Sequence, residues 1–122
     1  MSFQIEWIKN NTYVKFYGTL TPEDFHQANG LIYGDARFDN MIYQIADFTN
    51  VLSINLTLDK VKVISALEKS ATRWNKSVKV AHVTTDPEIK NMVHAYEKEI
   101  QKTNWLCRLF ENLDDATIWC NE

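Results

Sequence analysis

Glycine and proline are both scarce in this 122-residue chain, at three and two residues. So few glycines leave no Gly-rich loop to cradle a phosphate, and no serine sits between turn glycines as a GxSxG nucleophile would. Cysteine is equally sparse: Cys107 and Cys120 show no CxxC spacing and no companion histidine cluster. They read as two reduced, mostly buried thiols rather than a disulfide framework or a metal site. Basic charge is short as well, with 13 Lys and Arg against 16 Asp and Glu and a net charge of −3. Nucleic-acid binders carry a clear basic excess, so nucleic acid is not an expected partner. No stretch approaches the ~18 apolar residues that span a bilayer. The opening MSFQIEWIKNN has neither the basic nor the apolar region of a signal peptide. These absences lead to the expectation of a cytoplasmic protein with no integral membrane segment.

What the chain does have is material for a core. Hydrophobic residues make up 45%, and the aromatics comprise 4 Trp, 5 Tyr and 6 Phe. That is enough for a substantial interior and for an aromatic-lined cavity. The length suits one domain, residues 1–122, stable without disulfides or metal. Charge is uneven: residues 1–50 hold three bases and six acids, and residues 51–122 hold ten of each.

Phe3, Ile5 and Trp7 alternate with Gln4 and Glu6, the period of a half-exposed strand. Asn10 and Asn11 tolerate left-handed backbone and lead into YVKFYGTL, which predicts a β-hairpin. Thr21-Pro22-Glu23-Asp24 supplies a cap, a first-position proline and acids for a helix start. Phe25, Ala28 and Ile32 fall on one face of that helix, and Gly34 ends it. MIYQIADF is too short for a helix and suits an interior strand that stops at Asp47 and Thr49. Thr57 or Asn55 caps a second helix with a stripe of Leu58, Val61, Ile64, Leu67, Ala71 and Trp74. VKVAHVTT is another strand, and Asp86-Pro87-Glu88 starts a helix with Ile89, Met92, Val93, Tyr96 and Ile100 inward. WLCRLFEN and DDATIWC, with Asn112 as cap, complete the chain. The order ββαβαβαβα predicts an α/β domain with a mixed, mostly parallel five-stranded sheet and an antiparallel N-terminal hairpin.

That order, together with "YGTLTPEDF", "YGDARFDNMIYQIADFTNV", "VKVAHVTTD" and "RLFENLDDATIW", resembles the SpoIIAA-like branch of the STAS superfamily of anti-sigma-factor antagonists. The resemblance spans nearly the whole chain, and that fold is related to the lipid-carrying CRAL-TRIO domains. It implies that the second helix and the loop before it face a protein partner. In the sporulation antagonists this helix opens with an Asp-Ser-Ser-Gly type motif that carries the phosphorylated serine. The corresponding stretch here is Ile54-Asn55-Leu56-Thr57-Leu58-Asp59, with no Ser-Gly pair and only Thr57 at the phospho-acceptor place.

No catalytic residue, metal site or cofactor is expected, because no His pairs with Cys, Asp or Glu at a ligand spacing. Two binding readings remain. Phe25, Tyr33, Phe38, Tyr43 and Phe48, with His82, point to a small apolar, lipid-like ligand held under the first helix, and Gly30 and Gly34 would let that helix move. Core packing accounts for the same rings, and a buried hydrogen-bonded histidine accounts for His82. Asp47, Thr49, Thr84 and Thr85 would form a polar rim at the strand ends, where helix N-termini gather ligands. Turn-holding and capping explain the same residue types, Asp47 above all. The alternative is a regulatory module that docks a protein through residues 51–76, where Lys62, Lys69, Arg73 and Lys76 lie opposite the apolar stripe. Trp7 and Trp119 could feed a homodimer interface.

Overall fold

The computed structural model describes residues 2–122. Five strands form one sheet in the order β1-β2-β3-β4-β5. β1 (Phe3–Ile8) runs antiparallel to β2 (Asn11–Leu20), and β2, β3 (Tyr43–Ile54), β4 (Lys79–Val83) and β5 (Leu106–Phe110) are parallel neighbours. Crossovers between them carry α1 (Pro22–Tyr33), α2 (Leu58–Ala71) and α3 (Pro87–Ile100), and α4 (Leu113–Cys120) closes the chain. This is the element order and sheet the sequence predicts. The hairpin differs in one detail: Lys9, with φ of 58°, takes the left-handed position in place of Asn10 or Asn11. Asn11 instead starts β2, and its Oδ1 accepts from the Ile42 and Tyr43 amides at 2.8 and 3.1 Å, which sets the entry of β3.

The helix starts follow local chemistry. The Thr21 hydroxyl accepts from the Asp24 amide while the Asp24 carboxylate accepts from the Thr21 amide, a reciprocal cap that also buries Asp24. Thr57, Asp86 and Asn112 cap α2, α3 and α4 by accepting first-turn amides. Gly34 does end α1, with its φ at −82° rather than left-handed. Its lack of a side chain matters through space: a Cβ there would meet the Gly30 carbonyl at 2.9 Å.

Both sheet faces are covered, unequally. Val14, Phe16, Phe48 and Val80 face the main core with residues of α1, α2 and α3. Tyr43, Ile45, Ala81 and Val83 face the other way, onto Ala116 and Cys120 of α4. A polar clasp closes the lower end of the main core. The Trp105 indole donates to the Asn75 carbonyl at 2.6 Å, and the Asn75 amide donates to the Phe38 and Met41 carbonyls at 2.9 and 2.8 Å. Trp105 and Phe38 are fully buried against each other there.

Two sequence expectations are corrected. β3 does not stop at Asp47 and Thr49 but continues to Ile54, because β2 is long enough to keep supplying ladder partners. β4 reaches only as far as Asp47, so the later part of β3 overhangs the sheet with β2 alone beside it. The α2 stripe is also rotated. Val61, Ile64 and Ala71 are buried as expected, yet Leu58, Leu67 and Trp74 face solvent, and Ser65 and Glu68 take the inward places.

Candidate functional site

Asp47 sits where β3 leaves β4. Its Oδ1 accepts from the Thr49 amide at 2.9 Å and from the Thr49 hydroxyl, and its Oδ2 accepts from the Tyr13 hydroxyl of β2 at 2.5 Å. Burial and the neighbouring carboxylate push the Tyr13 hydroxyl well above its ordinary pKa. The pairing register shifts here, from Lys15 opposite Asp47 to Tyr17 opposite Asn50, so β3 carries one extra residue in a bulge. Asp47 therefore holds the local backbone, as the turn-holding reading expects, but what it holds is a bulge inside the strand and not a turn after it. A second shift follows between Gly18 and Thr19, where the ladder steps from Val51 to Ser53 and leaves Leu52 unpaired and 88% exposed. Gly18, with φ of +67°, supplies the left-handed backbone this irregularity needs.

The predicted polar rim does not assemble as one group. Asp47 faces the α4 side with Tyr13, and Thr49 serves it as a bulge donor. The buried Thr84 hydroxyl accepts from the Asp86 amide at 3.1 Å, ordering the turn before α3, and Thr85 is exposed.

The aromatic candidates divide between the two faces. Phe25, Phe48 and His82 line a cavity of about 60 Å³ between the sheet and the three helices. Phe16, Phe48 and His82 stack across β2, β3 and β4 with interplanar angles of 9° and 8°, and Tyr96 of α3 meets His82 edge-on. Phe38 is spent on the clasp with Trp105, and Tyr43 belongs to the opposite face. Tyr33 meets the cavity's carboxylate through its hydroxyl, which donates to Glu68 Oε1 at 3.0 Å.

His82 is buried, and burial pulls its pKa down to about 4, so it is neutral at pH 7. Its Nδ1 lies 3.6 Å from the Cys107 sulfur, the hydrogen-bonded setting expected of a core histidine. Cys107 and Cys120 are both free thiols.

Sequence reasoning missed Glu68. It lines the cavity, 6% exposed, and burial pushes its pKa up to about 6 against the opposing hydrogen-bonding pull of Tyr96, Tyr33 and Asn29. Oε2 of Glu68 and the Tyr96 hydroxyl both lack a hydrogen-bond partner among the described residues. Its spacing held a usable signal: Glu68 stands four residues after Ile64 and seven after Val61, inside the buried stripe.

On the outer side, Val63, Leu67 and Trp74 point to solvent at helical spacing along α2 and the turn after it, with Leu58 at the helix start. Lys60, Lys62, Arg73 and Lys76 are exposed around them, whereas Lys69 is engaged by Glu99 of α3. Thr57, the place of the phospho-acceptor in the resemblance, is an exposed N-cap whose hydroxyl accepts from the Lys60 amide at 3.3 Å. Trp7 and Trp119, the dimer candidates, are each approached by a cation of their own chain. The Arg37 guanidinium lies 4.0 Å from the Trp7 ring centre and the Lys79 ammonium 5.2 Å from that of Trp119. No helix among the described residues is long and apolar enough to cross a membrane, and no group of three or more His, Cys, Asp or Glu could hold a metal ion.

The fold these elements make is SpoIIAA-like. An uncharacterised protein of the DUF3478 family with a SpoIIAA-like fold, from Shewanella loihica PV-4, superposes with a TM-score of 0.56 at 18% identity, over 97% of this chain and 91% of that one. The anti-sigma factor antagonist SpoIIAA in its unphosphorylated form superposes with a TM-score of 0.57 at 11% identity, over 95% of this chain and 94% of that one. At these identities the likeness is one of fold. No family model and no curated protein matches the chain by sequence.

Proposed function

We propose that this protein is a non-enzymatic, STAS-type interaction module that docks a protein partner through residues 51–76. One observation carries the reading: Leu52, Leu67 and Trp74 are 88%, 55% and 77% exposed, while Ser65 and Glu68 of the same segment point inward. A helix folded for its own stability places leucine inside and glutamate outside. Val63, Leu67 and Trp74 follow one another at helical spacing, an exposed apolar stripe of the kind that marks interaction surfaces, and a bulge such as the one that ejects Leu52 is a device strands use near working sites. The exposed bases Lys60, Lys62, Arg73 and Lys76, against the single exposed acid Asp59, select a partner with an acidic rim around an apolar centre. Likeness of fold to an anti-sigma factor antagonist supports the same class.

A carrier of a small apolar, lipid-like ligand is the first reading from sequence, and the cavity favours it less than docking. At about 60 Å³ it is far smaller than the roughly 300–1,000 Å³ typical of sites for larger ligands.

Site-specific photo-crosslinking in the native host tests the docking reading. Crosslinkers placed at Leu52 and Trp74 should capture one common protein, and a crosslinker at the exposed His26 on α1 should not. Leu67→Asp, made in the Leu52 crosslinking protein, should abolish that capture. Equal capture from all three positions, or none from Leu52 and Trp74, would end the proposal.

A further inference from the structure

Inside the molecule, away from the docking surface and independent of it, the cavity between the sheet and α1, α2 and α3 holds an unbalanced group. The Glu68 carboxylate is 6% exposed and lines this space. Tyr33 donates to Oε1, and Tyr96 and Asn29 stand close enough to favour the charged form, yet Oε2 has no partner within hydrogen-bond distance and angle among the described residues. The Tyr96 hydroxyl, on a different helix that also lines the cavity, faces this carboxylate closely enough for it to raise the phenol's pKa, but it too completes no hydrogen bond among the described residues. Buried charges in proteins are paired with an opposite charge or a full set of hydrogen bonds, because desolvation otherwise costs several kcal/mol. No lysine or arginine lines this cavity, and its one histidine is neutral. The same cavity is lined by the aromatic rings of Phe16, Phe48 and Tyr96, and the faces of such rings attract a desolvated cation. The rest of the lining is largely aliphatic, with Val80 and Val93 from β4 and α3.

We infer that this cavity binds a short-chain primary ammonium compound, its head group donating to Glu68 Oε2 and the Tyr96 hydroxyl oxygen and its tail lying among Val80, Val93 and Phe48. The size fits that class. On a scale where one water-sized group needs roughly 10–15 Å³, a cavity of about 60 Å³ takes on the order of four to six heavy atoms. A butylammonium ion has about five, and an acyl chain of lipid length has far too many. At pH 7 the carboxyl, with a pKa near 6, is mostly ionised and so complements a cation rather than an acid.

The test is a methyl-detected NMR titration of the whole chain at pH 7 and constant ionic strength, with n-butylammonium chloride, 1-butanol and sodium butyrate in parallel. The ammonium should give saturable shifts at the Ile64, Val80 and Val93 methyls, with affinity roughly tenfold or more above that of the alcohol. Butyrate should give none. Glu68→Gln should erase the preference of ammonium over alcohol while leaving methyl dispersion on the α4 side unchanged. If that variant does not fold, Tyr96→Phe serves: it keeps the charge, removes one acceptor, and should weaken the ammonium severalfold without changing the order of the three probes. Equal affinities for ammonium and alcohol in the unmodified protein would overturn the inference. So would a preference that survives in Glu68→Gln, or the absence of any saturable shift, which would mean that the cavity holds only water.

Discussion

The Tyr13 hydroxyl of β2 donates to Asp47 Oδ2 of β3 at 2.5 Å, across two parallel neighbours, while the other Asp47 oxygen accepts from the Thr49 amide inside the first bulge. One buried carboxylate thus joins the two long strands and shapes the start of the overhang that carries Leu52.

Removing that link should cost stability in a coupled way. Asp47→Ala deletes charge-assisted bonds from a site 6% exposed and is expected to cost about 2–3 kcal/mol. Tyr13→Phe should cost about 1 kcal/mol, and the double variant less than the sum, because both changes break one shared bond. Urea unfolding of the four proteins measures this. Strict additivity would show that the two side chains do not support each other.

Asn75 has a comparable role at the other end of the core. Its amide donates to the Phe38 and Met41 carbonyls while its own backbone carbonyl accepts from the Trp105 indole. Asn75→Ala removes the side-chain donor from the Met41 carbonyl and leaves the Phe38 carbonyl only the Met41 amide, and it is expected to cost about 2–3 kcal/mol. Asn75→Asp should be at least as damaging, since it turns an acceptor toward acceptors. Thermal unfolding followed by circular dichroism is the measurement. An unchanged melting temperature in both variants would remove the clasp from the account of stability.

How much of this was legible in the sequence depended on whether the deciding contact was local. The caps at Thr21, Thr57, Asp86 and Asn112 act within three residues and were readable, as was the α3 stripe from Ile89 to Ile100, whose buried set matches its spacing. Asp47 was readable as a residue that holds the local backbone, but the length of β3 was not. Thr49 and Asn50 have turn chemistry, and only the partner strand, more than thirty residues away along the chain, makes them strand. The α2 rotation was hidden for a similar reason. Leu67 and Trp74 share the three- and four-residue spacing of Val61 and Ile64, and what draws Glu68 inward instead is the Tyr33 hydroxyl on α1. Of the ligand candidates, Phe25, Phe48 and His82 meet at the cavity, whereas Phe38 and Tyr43 were assigned by proximity in sequence and lie elsewhere.

The α2 rotation makes its own prediction. Leu67→Ser, at a position 55% exposed, should change stability by no more than about 0.5 kcal/mol, whereas Ile64→Ala, at 5%, should cost about 2–4 kcal/mol. If the stripe instead faced the core as its spacing suggests, the two substitutions would be similarly costly. Paired chemical denaturation curves with a common slope separate the cases.

The cavity's two titrating groups pull stability in opposite directions with pH. The folded pKa of His82 is lowered from 6.5 to about 4, so its contribution is present above pH 6.5 and is lost as the pH falls toward 4. The folded pKa of Glu68 is raised from 4.5 to about 6, so its contribution is present below pH 4.5 and is lost as the pH rises through 6. Nearby Tyr33, Tyr96 and Cys107 are all pushed upward by burial and stay protonated through this window. Moving from pH 7 to pH 5 therefore removes about 2 kcal/mol through His82 and restores about 1 kcal/mol through Glu68. The unmodified protein should lose only about 1 kcal/mol between those two pH values, and Glu68→Gln, stripped of the offset, about 2 kcal/mol. Urea midpoints at pH 7 and pH 5 for both proteins read the difference. An equal loss in the two would mean that Glu68 does not titrate as a buried acid, and the charge argument for the cavity would fall with it.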